Sequence, residues 1–294
     1  MRYYSDSSTL FIRGSFRAAS TGLFGGIHSV STIISHTVPE RASHGSPEKE
    51  LDFAAAGAGV SSDFFGLLTR VPVRQISVLQ YDFITVFIAT GLPENGNNNE
   101  AGINIIVCSS EGLEDAALLE SIMVATEAKT EALLASVYTT GGTPADAVIA
   151  ACEGPVLHTR AGRNSEAGGR IRETVMHGIA ESIRRIKKTN EPGRQSFFIF
   201  SRFKGKHWVE WAPENCPYFP CHFPGQHCDF CYCPFYPCHD ETLGQWVESS
   251  NEKKVWNCAR CTLLHEPTVA DYLKQFPGAS LKELVQRRKT GQRK

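Results

Sequence analysis

Long apolar runs are missing from this chain. No stretch approaches the roughly 18 consecutive apolar residues of a membrane-spanning helix, so no membrane partner is expected. An excess of either charge is missing too. The 30 Lys and Arg residues balance 31 Asp and Glu, for a net charge of -1. A chain so balanced has no electrostatic case for binding nucleic acid or an anionic surface. The amino end, MRYYSDSSTLFIRGS, lacks the apolar core and small-residue cleavage pattern of a signal peptide, which makes the cytoplasm the expected location. H-E-x-x-H, G-x-S-x-G, the Walker loop and the Rossmann fingerprint are all absent, which leaves the familiar catalytic routes unsupported. There is no long-period repeat or low-complexity tract. Cysteine is scarce until late, with only Cys108 and Cys152 before residue 216.

What is present suffices for a core. The chain has 294 residues, 41% of them hydrophobic and 21% charged, and a length of that order suggests two domains. Its centre is Gly102 to Thr143. Ile103 to Cys108 has strand length and composition. Ser109 and Ser110 are of N-cap type, and Glu111, Glu114 and Asp115 follow where a helix dipole favours acid. Leu119, Ile122, Met123, Thr126, Thr130, Leu133, Leu134 and Val137 then recur at helical spacing, which predicts that they form the buried face. Gly141 and Gly142 stop the helix.

The flanking segments extend that unit. Residues 9–38 read as several short strands bent at Gly22, Gly25 and Gly26. Leu51 to Leu68 reads as partly helical, and Arg74 to Leu92 as two strands joined around Gln80 to Asp82. Pro93 to Ala101 is a turn-rich loop. Asp146 to Cys152 is another buried strand, followed by an irregular loop holding His158, Thr159 and Arg160. A second helix spans about Glu166 to Lys188, with Ile171, Val175, Ile179, Ile183 and Ile186 as its apolar stripe. The order predicts an α+β fold: a layered mixed or antiparallel sheet with two long helices, then a small metal-binding, Cys-rich domain. Thr189 to Gln195 reads as the boundary, giving domains at 1–189 and 195–285. One short helix is expected in the second, near Leu281 to Gln286.

Eight cysteines crowd the tail: Cys216, Cys221, Cys228, Cys231, Cys233, Cys238, Cys258 and Cys261. Cys228/Cys231 and Cys258/Cys261 are C-x2-C pairs, a spacing that lets two thiolates meet one tetrahedral ion. In an intracellular chain such crowding points to metal before disulfide. Eight thiols fit two four-coordinate structural zinc sites, with His222, His227, His239 and His265 as substitutes. An iron–sulfur centre is the alternative, and the ligand pairing is open. Cys108 and Cys152 sit in apolar runs, where a thiol acts as a small core residue.

Several polar residues exceed what packing requires. Glu127, in V-A-T-E-A-K-T, borders the expected buried face. It is either a boundary carboxylate paired with a cation or a general base. Lys129 is either a solvated lysine or part of a site. Asn104, inside an apolar strand, either caps local backbone or donates to a substrate amide. Gly141 to Val148 is a glycine turn entering a strand, and its backbone N–H groups could face an anion. His158 is a surface histidine or an acid–base group.

Taken in order, R-A-A-S-T-G-L-F-G-G-I, I-T-V-F-I-A-T-G-L, G-I-N-I-I-V, A-T-E-A-K-T-E-A-L and G-G-T-P-A-D-A-V-I-A-A resemble the adenosylcobinamide amidohydrolase family, over roughly residues 9–186. The tail, from about Gln195 to Glu283, resembles a cysteine-rich small domain that occurs beside it. The resemblance implies corrinoid salvage. The amide joining aminopropanol to the corrin ring of adenosylcobinamide is hydrolysed, and the adenosylcobyric acid released re-enters cobalamin synthesis. It points to Glu127, Lys129 and Asn104 as catalytic, and to Gly25, Gly26, Thr143 and Asp146 as substrate-binding; His158, from its place on the loop, is the further substrate-binding candidate. Glu127 would activate water. Asn104 and the Gly141 to Thr143 amides would hold the oxyanion. Lys129 or His158 would assist the leaving amine or hold a corrin amide. A nucleophilic Thr126 or Thr143 is the rival mechanism. A corrinoid-binding or metal-sensing protein without turnover is the rival function, and the tail is a candidate protein contact.

Overall fold

The computed structural model describes residues 1–6, 8–38, 45–60, 63–92, 102–136, 141–188, 195–202, 205–211, 216, 219–231, 233–248 and 254–291. Val137, the loop Pro93 to Ala101 and all of the expected boundary except Gln195 lie outside them. The chain forms two compact units: Ser5–Trp211 with Met1, and the remainder with Arg2–Tyr4.

After β1 (Arg2–Ser5), the first unit runs β2 (Thr9–Ser20), β3 (Gly26–Thr37), α1 (Pro47–Gly57), β4 (Phe64–Thr69), β5 (Ser77–Tyr81), β6 (Ile84–Thr90), β7 (Ile103–Ser109), β8 (Gly112–Leu113), α2 (Asp115–Ala135), β9 (Ala147–Cys152), β10 (Val156–His158), α3 (Glu166–Lys188), β11 (Ser196–Ser201) and β12 (His207–Trp211). Nine strands join in the order β12-β11-β5-β6-β7-β9-β2-β3-β4. β11/β5, β7/β9 and β3/β4 are parallel and the other neighbours antiparallel. This is a mixed α/β architecture, as the element order implied. Residues 9–38 make two long strands instead of several short ones, with a register shift between Arg13 and Phe16 that lets the long hairpin bend.

α2 and α3 cover one sheet face. Ile103, Ile105 and Val107 of β7 and Ile84, Val86 and Ile88 of β6 pack with Val124, Ala125 and Ala128 of α2 and Ile171, Val175, Ile179 and Ile183 of α3. Each fully buried branched side chain of this kind contributes about 1.5–3 kcal/mol of burial free energy. The α3 stripe falls where its periodicity placed it, except for Ile186, which is exposed.

α2 differs from expectation. Its buried face is Ala117, Leu118, Ser121, Val124, Ala125, Ala128, Lys129, Ala132 and Leu133, while Leu119, Met123 and Leu134 are exposed. Small residues let the helix lie close to the sheet, so alanine rather than the larger leucine stripe marks the inner side. The helix also begins later than the serine signal suggested. Ser109 Oγ instead accepts from Glu111 N at 3.1 Å, closing a local turn.

The unit ends at Trp211, beyond the expected boundary at 189–195. β11 runs parallel to β5, pairing Phe197 with Val78, and β12 pairs with β11. Phe198 and Phe200 are buried there, and Tyr81 stacks on Phe200 with ring centroids 4.0 Å apart.

The second unit carries β13 (Gln245–Glu248), β14 (Lys254–Asn257), α4 (Pro267–Gln275) and α5 (Leu281–Gly291). Leu263, Leu264, Val269, Leu273, Ala279 and Leu284 form its small core. α4 was not expected, because its apolar residues are too few to show a period against the Cys-rich background.

Candidate functional site

The G-G-T-P-A-D turn and the A-T-E-A-K-T helix meet through Asp146. Its Oδ1 accepts from Ile103 N at 2.8 Å and from Thr143 Oγ1 at 2.9 Å. Its Oδ2 accepts from Thr143 N at 3.1 Å and forms an ion pair with Lys129 Nζ. The two side chains are only 7% and 10% exposed. A buried ion pair is tolerable only when its remaining valences are filled, and here the carboxylate collects four donors. Lys129 is therefore not a solvated lysine but the cation of a closed network. Thr130 Oγ1 donates to Gly141 O at 3.0 Å, which anchors the other end of the turn to α2. A Cβ on Gly142 would stand 2.4 Å from Asp146 Oδ2 and 2.5 Å from Lys129 Nζ, so only glycine lets the turn approach.

The same edge of the sheet receives the β2–β3 turn. Thr21 N donates to Val148 O at 3.0 Å, and Val148 N donates to Thr21 Oγ1 at 2.9 Å. Gly25 is obligatory in this turn, since a Cβ would lie 2.5 Å from the Ser20 carbonyl oxygen. Gly26 follows at φ 130 and opens β3. Gly25, Gly26, Lys129, Thr143 and Asp146 are thus brought to one end of the sheet.

Asn104 comes to that end too, but on the other face. Ile103, Ile105 and Val107 point at α2, so alternation turns Asn104 away from it. Asn104 is buried, and its Nδ2 donates to Leu68 O of β4 at 2.7 Å. β4 lies four places from β7 in the strand order, so the sheet curls enough for a β7 side chain to reach it. Glu127 is exposed on α2. Glu127 and Asn104 therefore do not share a pocket, contrary to the expectation that they would act together.

His158 is placed at the opposite end of the sheet. It stacks on Phe83, with centroids 4.8 Å apart, and its Nε2 lies 2.7 Å from Glu111 Oε2. This end also holds a cleft of ≈ 870 Å³, lined by Arg17, Leu113, Asp115, Cys152, Glu153 and Val156 among others. None of the expected catalytic or binding residues lines it. Thr126 Oγ1 donates to Ile122 O at 2.8 Å, its own helix, which makes it the weaker of the two threonine candidates.

Cys108 and Cys152 are core thiols, and burial raises the pKa of both. The eight tail cysteines are free. Among the described residues, no three His, Cys, Asp or Glu side chains are gathered tightly enough to hold a metal ion as they stand. Also among the described residues, no helix is long and apolar enough to cross a membrane.

Comparison with known proteins bears on this arrangement. Residues 5–191 match the family model described as adenosylcobinamide amidohydrolase. The chain belongs to that family. Residues 207–288 match the model of a cysteine-rich small domain. An adenosylcobinamide amidohydrolase of Methanosarcina mazei is 39% identical over 195 residues, covering 62% of this chain and 98% of the relative. One from Halobacterium salinarum is 29% identical over 187 residues, covering 57% of this chain and 80% of the relative. An uncharacterized Methanocaldococcus jannaschii protein is 54% identical over 59 residues, 20% of this chain and 50% of that protein. The family match ends before β11, so the last two strands of the first unit's sheet come from chain outside it.

Proposed function

We infer that the chain hydrolyses the aminopropanol amide of adenosylcobinamide, releasing adenosylcobyric acid and aminopropanol for corrinoid salvage. The observation that carries this is the match over residues 5–191 with relatives of that name, spanning the Lys129–Asp146–Thr143 network. Amide hydrolysis needs an activated water, a stabilised oxyanion and a protonated leaving amine. The sheet edge at Gly141 to Asp146 is the place assigned to it. Lys129 and Asp146 fix the turn, and Thr143 borders the substrate arm. Glu127, exposed on the same helix one turn before Thr130, is the water-activating carboxylate. Asn104 is left out of the oxyanion site, because it faces the far side of the sheet. Gly25 and Gly26 contribute the adjoining turn, while His158 serves the opposite end. The reaction belongs to the cytoplasm and involves no nucleic acid or membrane.

Structural zinc in the tail, two ions held by the eight cysteines, is part of the same reading. The donor type and number suit it, and so few core residues would gain folding free energy from metal. A protein contact is assigned to this tail.

The test is incubation of the purified chain with adenosylcobinamide and mass detection of both products. Tight binding without aminopropanol release would instead establish a corrinoid-binding protein. Trapping of an acyl-enzyme on Thr143 would replace water attack with covalent catalysis.

A further inference from the structure

The β2–β3 turn, T-G-L-F-G-G at residues 21–26, carries a residue that the hydrolytic reading has not used. Phe24 has φ 57, in the left-handed region. Among the described residues, two others that are not glycine have positive φ, Asp82 and His239. Asp and His belong to the types that tolerate it, whereas a bulky Phe is an outlier.

The glycines of this turn serve a different need. A Cβ on Gly22 would lie 2.5 Å from Leu67 Cδ2 and 2.8 Å from the Gly66 carbonyl oxygen. One on Gly25 would lie 2.5 Å from the Ser20 carbonyl oxygen. Both are glycine for close approach. Position 24 is where glycine would relieve the backbone, and there the chain places the largest side chain of the turn.

The conformation is held from several sides. Gly22 N donates to Ser20 Oγ at 3.0 Å, and Gly25 N donates to Gly22 O at 3.1 Å. Thr21 N donates to Val148 O of β9, and Leu23 bridges Gly66 of β4. A strained residue persists only where its surroundings over-determine it, and such residues gather at ligand clamps.

What the strained backbone presents is an open ring. Phe24 is 47% exposed. It meets Phe64 edge to face, with centroids 6.2 Å apart and planes at 83°, a contact that fixes the ring without covering it. Burial therefore does not explain a Phe at this position. The turn joins the end of the sheet that gathers Lys129, Thr143 and Asp146.

We propose that Phe24 is a specificity-determining residue, whose fixed ring stacks on a planar conjugated face of the corrinoid held at the Gly141 to Asp146 edge. The choice of ligand rests on the hydrolytic reading above. Adenosylcobinamide offers two such faces, the adenine of its adenosyl group and the corrin ring itself. A ring already locked in place loses little entropy on binding. Stacking made equally in the ground and transition states lowers KM and leaves kcat alone.

The experiment compares the unaltered chain with Phe24→Ala, Phe24→Gly and Phe24→Tyr. Corrinoid binding is followed by absorbance titration, hydrolysis by aminopropanol release, and stability by urea unfolding. The Ala and Gly variants should raise Kd and KM for adenosylcobinamide on the order of 10-fold, with the loss in KM rather than kcat. The Tyr variant keeps the ring and should restore affinity. The Gly variant should have a higher urea midpoint than the Ala variant, since it relieves the left-handed strain without returning the ring. That difference separates the contact from folding. Cobinamide carrying cyanide in place of adenosyl locates the face. A loss confined to the adenosylated ligand assigns the adenine, and an equal loss with both assigns the corrin ring. A folded Gly variant that binds both ligands within about 2-fold of the unaltered chain overturns the proposal. So does a folded Tyr variant that binds no better than the Ala variant. If the unaltered chain binds adenosylcobinamide without releasing aminopropanol, the hydrolytic reading fails, and the Kd comparison still decides the role of Phe24. A chain that binds neither corrinoid overturns both.

Discussion

Lys129 and Asp146 sit seventeen positions apart in sequence and neutralise each other inside the first unit, at the seam between α2 and the start of β9. Because Asp146 also takes the Ile103 and Thr143 amides, the pair fixes where the glycine turn meets the sheet. Removing one partner strands the other charge in the interior. Lys129→Met and Asp146→Asn should each lose about 3–5 kcal/mol in urea unfolding, with non-additive effects in the double variant. Additive losses would show that the two side chains are not coupled.

Gly142→Ala tests the closeness of that turn. The new methyl would press on an Asp146 carboxylate already held by four donors, so it cannot retreat freely. A loss of about 1–3 kcal/mol is expected, together with lower turnover. Gly57→Ala is the matched control, because a Cβ there meets nothing within 4 Å. That change should be neutral or stabilising by up to about 1 kcal/mol.

Glu127→Gln separates chemistry from folding. The side chain is exposed, so stability should change by no more than about 0.5 kcal/mol. The catalytic constant should fall on the order of 10²-fold or more if this carboxylate activates water. A folded variant with full turnover would remove Glu127 from the mechanism.

His177 gives a pH prediction. Its ring lies against Trp208 with centroids 4.8 Å apart, and its Nε2 is buried. Burial lowers its pKa, partly offset by Glu181. The folded form therefore resists protonation more than the unfolded chain does. Its stabilising contribution is complete above the unfolded value near 6.5 and is lost as pH falls below it toward the folded pKa. His177→Phe, which keeps the ring contact, should flatten the dependence of the urea midpoint between about pH 7 and pH 5. An unchanged slope would assign the dependence to other groups.

The sequence was most readable where one physical signal acted alone. Ile171, Val175, Ile179 and Ile183 had no competitor for the inner side of α3, and all four are buried. In α2, two signals conflicted. The larger apolar side chains Leu119, Met123 and Leu134 lie outside, because close approach to β9 and β2 favours alanine. Lys129 looked like surface because its counter-ion comes from a distant turn. Alternation along β7 already separated Asn104 from Ile103 and Ile105, but which parity faces α2 is set by tertiary packing. Gathering of Gly25, Thr143 and Asp146 at one end could be read only through the motif order, since their contacts are long-range.

The parallel docking of β11 on β5 determines where the chain can be cut. A fragment ending at the polar stretch before Gln195 would strip β5 of its neighbour and leave Tyr81 without the Phe200 ring. Such a fragment would present a bare, sticky strand edge and invite self-association. The clean place to divide the polypeptide for separate expression is after Trp211, even though the small-domain match already begins at His207.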